Sequence, residues 1–275
     1  MAMMKEQERF FYLDTDTDTD EDVTRGPETT KGCFELMREW DPRWSKKVRR
    51  FVQSTTGNSA LDPKLVALIQ LNLAVSPTHL HAPAVRRHIR NALRLGATRA
   101  EILEVMKIAA VIGIHSSALA APLLHRELHK LGCEEEGSRT REGFAATPRT
   151  DAARAAGQFN PLWELMYQWE PTWLESFVDM GFSVWEAPVL PALWIELLCI
   201  AGDAEVTHMF APGTQRHIQN ALKLGATRAE ILAVLQLAAL VGIDACEVGI
   251  PILDEELKAL EHPSATPAVA RARDV

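Results

Sequence analysis

The sequence predicts an all-α fold made of one helical unit present twice. The stretch from Ala82 to Ile114 returns as Ala211 to Ile243 at an offset of 129 residues, with about two thirds of its positions identical. Internal similarity at a fixed offset is typical of a duplicated structural unit. Apolar residues follow helical spacing in the long segments, and the chain contains no alternating β-branched run. We therefore expect two tandem helical repeats related by 129 residues.

Local signals predict the first elements of the unit in order. From Lys31 onward the apolar residues recur at helical spacing, which indicates an opening helical segment. Asp62 and Pro63 mark the start of the next helix, because proline is favoured in a first helical turn. The stretch from Pro77 to Pro83 breaks the periodicity and indicates a turn.

The second half of the unit contains its most apolar helices. A helix that begins at the turn is expected to end at Gly96, and Thr98 with Glu101 has capping-box spacing for the next one. That next helix is apolar on almost every side and is expected deep in the core. A last helix is expected from about Ser116 to Leu131. Four tryptophans at matched positions are also expected in the core: Trp40, Trp44, Trp169 and Trp173.

The repeats also set the expected domain boundaries. The leader alternates threonine and aspartate, a charge block that repels itself and favours disorder. The segment between the repeats is polar and has little to bury. The expected segments are a disordered acidic leader (1–30), repeat 1 (31–133), a linker (134–158), repeat 2 (159–261) and a disordered tail (262–275).

Composition restricts the partners and the compartment. A net charge of −8 disfavours nucleic acid and anionic membranes, because both select for clusters of lysine and arginine. No uninterrupted apolar run reaches about 18 residues, so no membrane-spanning segment is expected. The four cysteines form neither a CxxC pair nor a zinc-ligand spacing, which is typical of a reducing compartment. We expect a cytoplasmic protein with free thiols.

Both repeats carry the motif HIxNALxLGATRAEIL, followed by an apolar helix that ends in Gly-Ile. This motif resembles the carboxymuconolactone decarboxylase family, which includes the alkyl hydroperoxide reductase D-type peroxidases. The resemblance covers Lys31–Cys133 and Asn160–Glu261. It implies helical subunits that assemble through their core helices, usually as trimers or hexamers. We accordingly expect a homo-oligomer, as a trimer of two-repeat chains.

One departure from the family pattern excludes the thiol peroxidase activity. The peroxidase members carry CxxC followed by three residues and then histidine, and a thiol–disulfide cycle needs both sulfurs. Counted back from His88 and His217, the cysteine positions hold His81 and Ala84 in repeat 1, and Phe210 and Gly213 in repeat 2. Neither repeat supplies the thiol pair, so a CxxC peroxidase is not expected.

Histidines at matched positions are the first candidate site residues. His79 and His88 in repeat 1 correspond to His208 and His217 in repeat 2, and each pair is nine residues apart across the turn. An arginine precedes the second histidine in both repeats (Arg87 and Arg216). These histidines could line one pocket wall, or they could make hydrogen bonds at helix ends or subunit interfaces, since duplication copies structural and catalytic residues alike.

Carboxylates distinguish the two repeats. Repeat 2 places Glu196 and Asp203 before its histidines, where repeat 1 has Ala67 and Ala74. Cys246 likewise stands where repeat 1 has a serine. Repeat 2 alone is therefore expected to keep a full set of proton-handling groups. The alternative for Glu196 is a carboxylate paired at an interface.

The resemblance implies a cofactor-free lyase of the decarboxylase type, acting on a small carboxylated lactone or unsaturated acid. In this reading His208 is the proton donor and Glu196 its orienting partner, while His217 and Arg216 hold the anionic oxygens of the substrate. The expected catalytic set is His208, Glu196, His217 and Asp203, and the expected substrate-binding set is Arg216, His79, His88, Arg87 and Cys246.

Three alternatives stay open at this point. The same groups could serve an isomerase or a lactone hydrolase, or the chain could be a non-catalytic oligomeric binding or scaffold protein. Metal binding is the third, through a histidine-rich cluster or a mixed cluster. The first would comprise His79, His81, His88 and His115, and the second Glu196, Asp203, His208 and His217. Neither shows a recognised ligand spacing, and a mononuclear site needs about three converging protein ligands, so no metal or other cofactor is expected.

Overall fold

The computed structural model describes residues 32–57, 60–133 and 146–261, and all regular structure in these ranges is helical. The all-α prediction is therefore confirmed. The predicted acidic leader and the C-terminal tail lie outside the described residues, as does the linker from 134 to 145.

The helices of the first half are α1 (Cys33–Trp40), α2 (Pro42–Thr56), α3 (Pro63–Val75), α4 (Ala82–Arg94), α5 (Arg99–Val111) and α6 (Ile114–Leu131). Those that follow are α7 (Pro148–Ala155), α8 (Glu164–Trp169), α9 (Pro171–Glu186), α10 (Ala192–Ala204), α11 (Ala211–Lys223), α12 (Arg228–Leu240) and α13 (Asp244–Glu261). Short 3-10 turns at Pro161–Trp163 and Val241–Ile243 precede α8 and α13.

The helix bounds of the two halves correspond. Helices α3, α4 and α5 begin and end 129 residues before α10, α11 and α12, respectively. This agreement is what the repeated sequence leads one to expect, because the same end signals stand at the same offset. Superposition of the two halves as one three-dimensional unit stays a prediction.

The predicted helix-end signals form as local chemistry requires. An Asp62 carboxylate oxygen accepts a hydrogen bond from the backbone N–H of Lys64 at 2.7 Å, which caps α3. Thr98 and Glu101 form the predicted capping box, with reciprocal bonds of 3.2 and 2.7 Å. Gly96 follows α4 with φ of +82°, a left-handed conformation that glycine adopts without strain.

The described residues divide into two compact units, and the first comprises residues 32–57 and 239–261. Among its described residues, α1 packs against α2 and α13. The Cys33 thiol donates to the backbone carbonyl of Cys246 at 3.2 Å. The prediction of core tryptophans is wrong here, since Trp40 and Trp44 are exposed. They lie on short amphipathic helices whose buried faces are occupied by smaller residues.

The second unit comprises residues 60–238 and is built around α3 and α10. The Asn72 side-chain amide on α3 donates to the backbone carbonyl of Leu198 on α10 at 2.9 Å. Both helices bury aliphatic side chains almost completely: Leu65, Leu68, Ile69, Leu71, Ile195, Leu197, Leu198 and Ile200. The sequences of these two neighbouring helices are apolar over most of their length because the helices are buried on nearly every side.

Helices around this centre correct two further predictions. α5 is not buried all round, because Leu103 is exposed while Glu104 is buried and accepts backbone N–H bonds from Val189 and Leu190. The core tryptophan of this unit is Trp163, whereas Trp173 is exposed and Trp169 only partly buried. The match between the repeats identified equivalent tryptophans, but it did not show whether each one lies on the buried or the exposed face of its helix.

Part of the predicted linker forms helix α7. Thr150 is fully buried, and its backbone N–H and hydroxyl both donate to Glu175 on α9, at 2.8 and 2.7 Å. The composition of this segment indicated few apolar residues to bury. These hydrogen bonds hold the helix against α9 without a large apolar face.

Two helical stretches, Arg99–Leu131 and Arg228–Glu261, are long and apolar enough to cross a membrane by length and composition. In each, 44% of the most apolar window is buried inside the structure. A core helix of a soluble protein passes the same test, so this is weak evidence, and the expectation of no membrane partner stays a prediction.

Candidate active site

A tight turn within the second unit joins α10 to α11 and positions the candidate residues. Met209 in this turn has φ of +49°, a conformation that is strained for a residue with a side chain. The next backbone N–H, that of Phe210, donates to the carbonyl of Asp203 at 2.8 Å. The turn therefore folds α11 back along α10 as a helical hairpin.

The same turn joins α3 to α4. Leu80 also has φ of +49°, and the backbone N–H of His81 donates to the carbonyl of Ala74 at 3.0 Å. The two turns touch, since the Thr78 and Thr207 hydroxyls lie 2.9 Å apart. Contact between matched residues is what a local twofold axis produces.

The centre of the candidate site is a hydrogen bond between Glu196 on α10 and His217 on α11. Glu196 Oε2 lies 2.7 Å from His217 Nδ1. The indole N–H of Trp185 donates to the other Glu196 oxygen at 3.3 Å. The Cys199 side chain, one turn after Glu196, lies close enough to His217 to raise the pKa of its imidazole. Carboxylate, imidazole and thiol are therefore neighbours in one site.

The pKa values of matched histidines move in opposite directions. Burial lowers the pKa of His217, but Cys199 and the Glu196 carboxylate raise it more, so it lies well above its usual value. The pKa of His88 lies well below its usual value, because burial and the nearby Arg87 and His81 disfavour its cation. Only the His217 imidazole is thus set to hold a proton near neutral pH.

Asp203 lies at the end of α10 and faces two imidazoles. Its side chain is 2% exposed, and burial raises its pKa to about 7 although the His217 cation opposes that shift. Asp203 Oδ2 is 3.9 Å from His217 Nε2 and makes no hydrogen bond. A Cβ added at Gly213 would lie only 2.0 Å from this oxygen, so the absence of a side chain there makes room for the carboxylate.

On its other side Asp203 faces a pair of histidines. His115 Nδ1 lies 2.7 Å from His208 Nε2, and Asp203 Oδ1 lies 3.7 Å from the same His115 nitrogen. The Phe210 ring stacks on His115 with centroids 3.8 Å apart. Burial and the neighbouring His208 and His217 lower the pKa of His115 to about 3, and burial also lowers that of His208. Both rings are therefore mainly neutral at pH 7.

The geometry changes one predicted pairing. Glu196 was expected to orient His208, but the structure brings it to His217, whereas the hydrogen-bond partner of His208 is His115. Arg216 flanks His217 and donates to the backbone carbonyl of Gln158 at 2.6 Å. Burial lowers its pKa and Glu196 opposes that shift.

The remaining predicted substrate-binding residues lie elsewhere. His79 and His81 are near each other, with ring centroids 5.5 Å apart, and His88 is buried on α4 beside Arg87. Cys246 belongs to α13 in the first unit. The predicted histidine-rich cluster with His115 is not formed as proposed, because His115 bonds to His208 of repeat 2.

Sequence reasoning missed three members of the site: Cys199, Trp185 and Gly213. A signal existed for Cys199, which is three residues after Glu196 and so on the same side of α10. Gly213 could have been identified from its matched residue, Ala84, since glycine replaces alanine where aspartate replaces Ala74. No sequence signal placed Trp185, whose position depends on how α9 packs.

Comparisons with known proteins agree with the sequence motifs. Residues 42–123 match the sequence model of the Carboxymuconolactone decarboxylase family. A crystal structure of a presumed gamma-carboxymuconolactone decarboxylase subunit from Burkholderia xenovorans LB400 is 29% identical, with a TM-score of 0.75. The match covers 94% of this chain and 98% of the other. No protein of curated function matches the chain. The predicted resemblance to the carboxymuconolactone decarboxylase family is thus confirmed, in sequence over residues 42–123 and in structure over nearly the whole chain.

Proposed function

We propose that this protein is a carboxy-lyase that removes CO2 from a small carboxylated lactone or a related unsaturated acid. The family resemblance supports decarboxylase-like chemistry. The observation that carries the proposal is the part-buried Glu196–His217 hydrogen bond of 2.7 Å, in a site where the pKa of the imidazole is raised.

Decarboxylation sets two requirements on such a site. When the bond between carbon and the carboxylate breaks, its electron pair moves into the conjugated system and places negative charge on a neighbouring carbonyl oxygen. A fixed cation or hydrogen-bond donor must stabilise that oxyanion. A proton must then be delivered to carbon while the enolate electrons form the new C–H bond.

His217 can meet both requirements. Its Nδ1 is held by Glu196, so Nε2 is the nitrogen that points away from that carboxylate, with Asp203 Oδ2 3.9 Å away. The protonated ring can donate to the enolate oxygen and then supply the proton to carbon. Glu196 fixes the ring orientation and stabilises its cation. Arg216, one residue before His217, supplies a second cation for the substrate carboxylate.

His208 is less suited to the role of proton donor that the sequence suggested. Burial lowers its pKa, and its Nε2 is engaged with His115. A neutral imidazole in a hydrogen-bonded pair has no proton to give at neutral pH. The proposal therefore assigns proton delivery to His217.

Steady-state CO2 release tests the proposal on a panel of carboxylated lactones and unsaturated dicarboxylic acids. We expect Glu196→Gln and His217→Gln each to lower turnover by at least about a hundredfold, the scale of a lost acid–base group. The matched control is His88→Gln in repeat 1, which should retain most of the activity. Circular dichroism first confirms that each variant folds. Release of CO2 from no member of the panel, or equal losses in all three variants, would contradict the proposal.

A further inference from the structure

Three potential metal ligands converge beside the Glu196–His217 pair. They are a ring nitrogen of His115 on α6, a carboxylate oxygen of Asp203 at the end of α10 and a ring nitrogen of His208 in the turn after α10. These atoms all lie within 4.8 Å of one another. They come from both sequence repeats, but all three residues belong to the second compact unit.

We propose that His115, Asp203 and His208 bind one divalent transition-metal cation of the zinc class. Two imidazole nitrogens and one carboxylate oxygen form a donor set that suits such ions, and three protein ligands leave a position for water or an anionic ligand. The inference goes beyond the proposed reaction, whose acid–base pair is Glu196 and His217.

Two of the three ligand-atom separations need only small shifts to fit this donor set, and the third is at most 4.8 Å. Zinc bonds to nitrogen and oxygen at about 2.0–2.2 Å, which separates tetrahedral ligand atoms by about 3.3 Å. The His115–His208 separation of 2.7 Å would widen and the His115–Asp203 separation of 3.7 Å would shorten, each by about half an ångström. Rotation of two side chains supplies movements of this size.

The surroundings hold the ligands in place. The Phe210 ring stacks on His115 and fixes its plane, while the gap at Gly213 seats the Asp203 carboxylate. His115 is 13% exposed at its side chain and Asp203 only 2%. His208 is only partly buried, so the ion could enter from its side. A hydrogen bond between two neutral rings would account for the contact of His115 with His208. It would not account for the Asp203 carboxylate that faces His115.

The site is tested by binding of Zn²⁺, and of Co²⁺ as a spectroscopic probe, to protein stripped with a chelator. We expect the wild-type chain to bind one more equivalent of Zn²⁺ than His208→Gln or Asp203→Asn, by calorimetry with dissociation constants below about 10 μM. Co²⁺ should give visible absorption of a four- or five-coordinate ion, lost in both variants. His125→Ala, an exposed histidine on the same helix as His115, is the matched control and should bind as the wild type does.

Each outcome decides the proposal. Equal Zn²⁺ stoichiometry in the wild type and His208→Gln would overturn the proposal. So would Co²⁺ absorption of an octahedral ion that His125→Ala reduces as much as His208→Gln does. His208 is partly exposed, so its variant should fold even if His115→Ala does not. Glu196→Gln should retain the ion while it loses turnover, so failure of the metal site and failure of the proposed lyase reaction can be told apart.

Discussion

Glu196 Oε2 lies 2.7 Å from Nδ1 of His217, and this contact has no counterpart in repeat 1. At the position that corresponds to Glu196, repeat 1 has Ala67, which is fully buried and offers no carboxylate to His88. The two histidines occupy the same position of the same motif, but their pKa values are shifted in opposite directions. Cys199 and Glu196, which stand where repeat 1 has Gln70 and Ala67, together account for the raised pKa of His217.

Proton titration of the two histidines should show this contrast directly. We expect the His217 ring to titrate above its ordinary pKa of 6.5 and the His88 ring to stay neutral well below it. In Glu196→Gln the pKa of His217 should fall, because the partner that stabilises its cation is gone. Two-dimensional NMR of ring-labelled histidine measures these values.

Assignment of the signals uses His217→Gln and His88→Gln, each of which removes one resonance. Ala67→Ser serves as the control in repeat 1. It adds a polar atom but no charge, so it should not raise the pKa of His88 to that of His217. A His217 pKa at or below 6.5 in the wild type, or one that Glu196→Gln leaves unchanged, would show that the pair is not an ionic one.

The raised pKa of Asp203 predicts a pH dependence of stability. The group has an ordinary pKa of 3.8 and a folded value of about 7. The folded state therefore holds this proton more tightly than the unfolded state does. Its contribution is fully present below pH 3.8 and is lost as pH rises through about 7.

The test compares urea unfolding of the wild type with that of Asp203→Asn between pH 4 and pH 8. Asparagine stays neutral, so the free energy of unfolding of the variant should rise relative to that of the wild type by about 1–4 kcal/mol from pH 4 to pH 8. Gln219→Ala, at an exposed position on α11, is the control and should show a flat difference, because neither residue carries a titrating group. A flat difference for Asp203→Asn would mean that the carboxylate is ionised throughout.

Exposed leucines on α6 predict self-association. Leu119, Leu123 and Leu124 are 65%, 44% and 52% exposed, respectively, and Leu119 and Leu123 lie one helical turn apart on the same face of α6. Covering such a patch stabilises an oligomer through burial of apolar surface. Light scattering should give about three times the chain mass of 30.5 kDa, as the predicted trimer requires.

The variant Leu119→Glu/Leu123→Glu should shift the mass toward that of one chain, because it places charge in the interface. Lys223→Glu, at an exposed position on α11, is the control and should leave the mass unchanged. A wild-type mass near 30 kDa at micromolar concentration would remove the oligomer prediction.

The sequence could predict the helices because their ends are encoded locally. The Thr98–Glu101 box and the glycine after α4 depend on residues a few positions apart. The faces of the helices were harder to predict. The tryptophans of α1 and α2 are exposed because packing, which the sequence does not state, decides which face of a short helix is covered.

The site was predicted in part, and the errors have a geometric reason. Glu196 lies eight residues before the end of α10 and His217 six residues after the start of α11, so a helical hairpin places them opposite each other. His208 is nearer in sequence but lies in the turn, beyond the end of α10. His115 is 93 residues from His208, so only tertiary packing could reveal that pair.

Gly213 gives the last prediction, because it determines whether Asp203 fits. A Cβ at this position would lie 2.0 Å from Asp203 Oδ2 and 2.8 Å from the Phe210 ring. Gly213→Ala should therefore displace the carboxylate and lower the free energy of unfolding by about 1–3 kcal/mol, the usual range for overpacking. The gain in helix propensity from glycine to alanine acts in the opposite direction but is smaller, about 1 kcal/mol.

Repeat 1 supplies the control for that prediction. There Ala84 and Ala74 stand at the positions of Gly213 and Asp203, so alanine is tolerated where no carboxylate has to fit. Gly213→Ala in an Asp203→Ala background should then cost less than it does alone, because the clash with the carboxylate is gone and only the 2.8 Å contact with the Phe210 ring remains. A double-mutant cycle measures this coupling from the unfolding free energies of the four proteins. If Gly213→Ala costs as much in the Asp203→Ala background as alone, the glycine serves the helix packing and not the carboxylate.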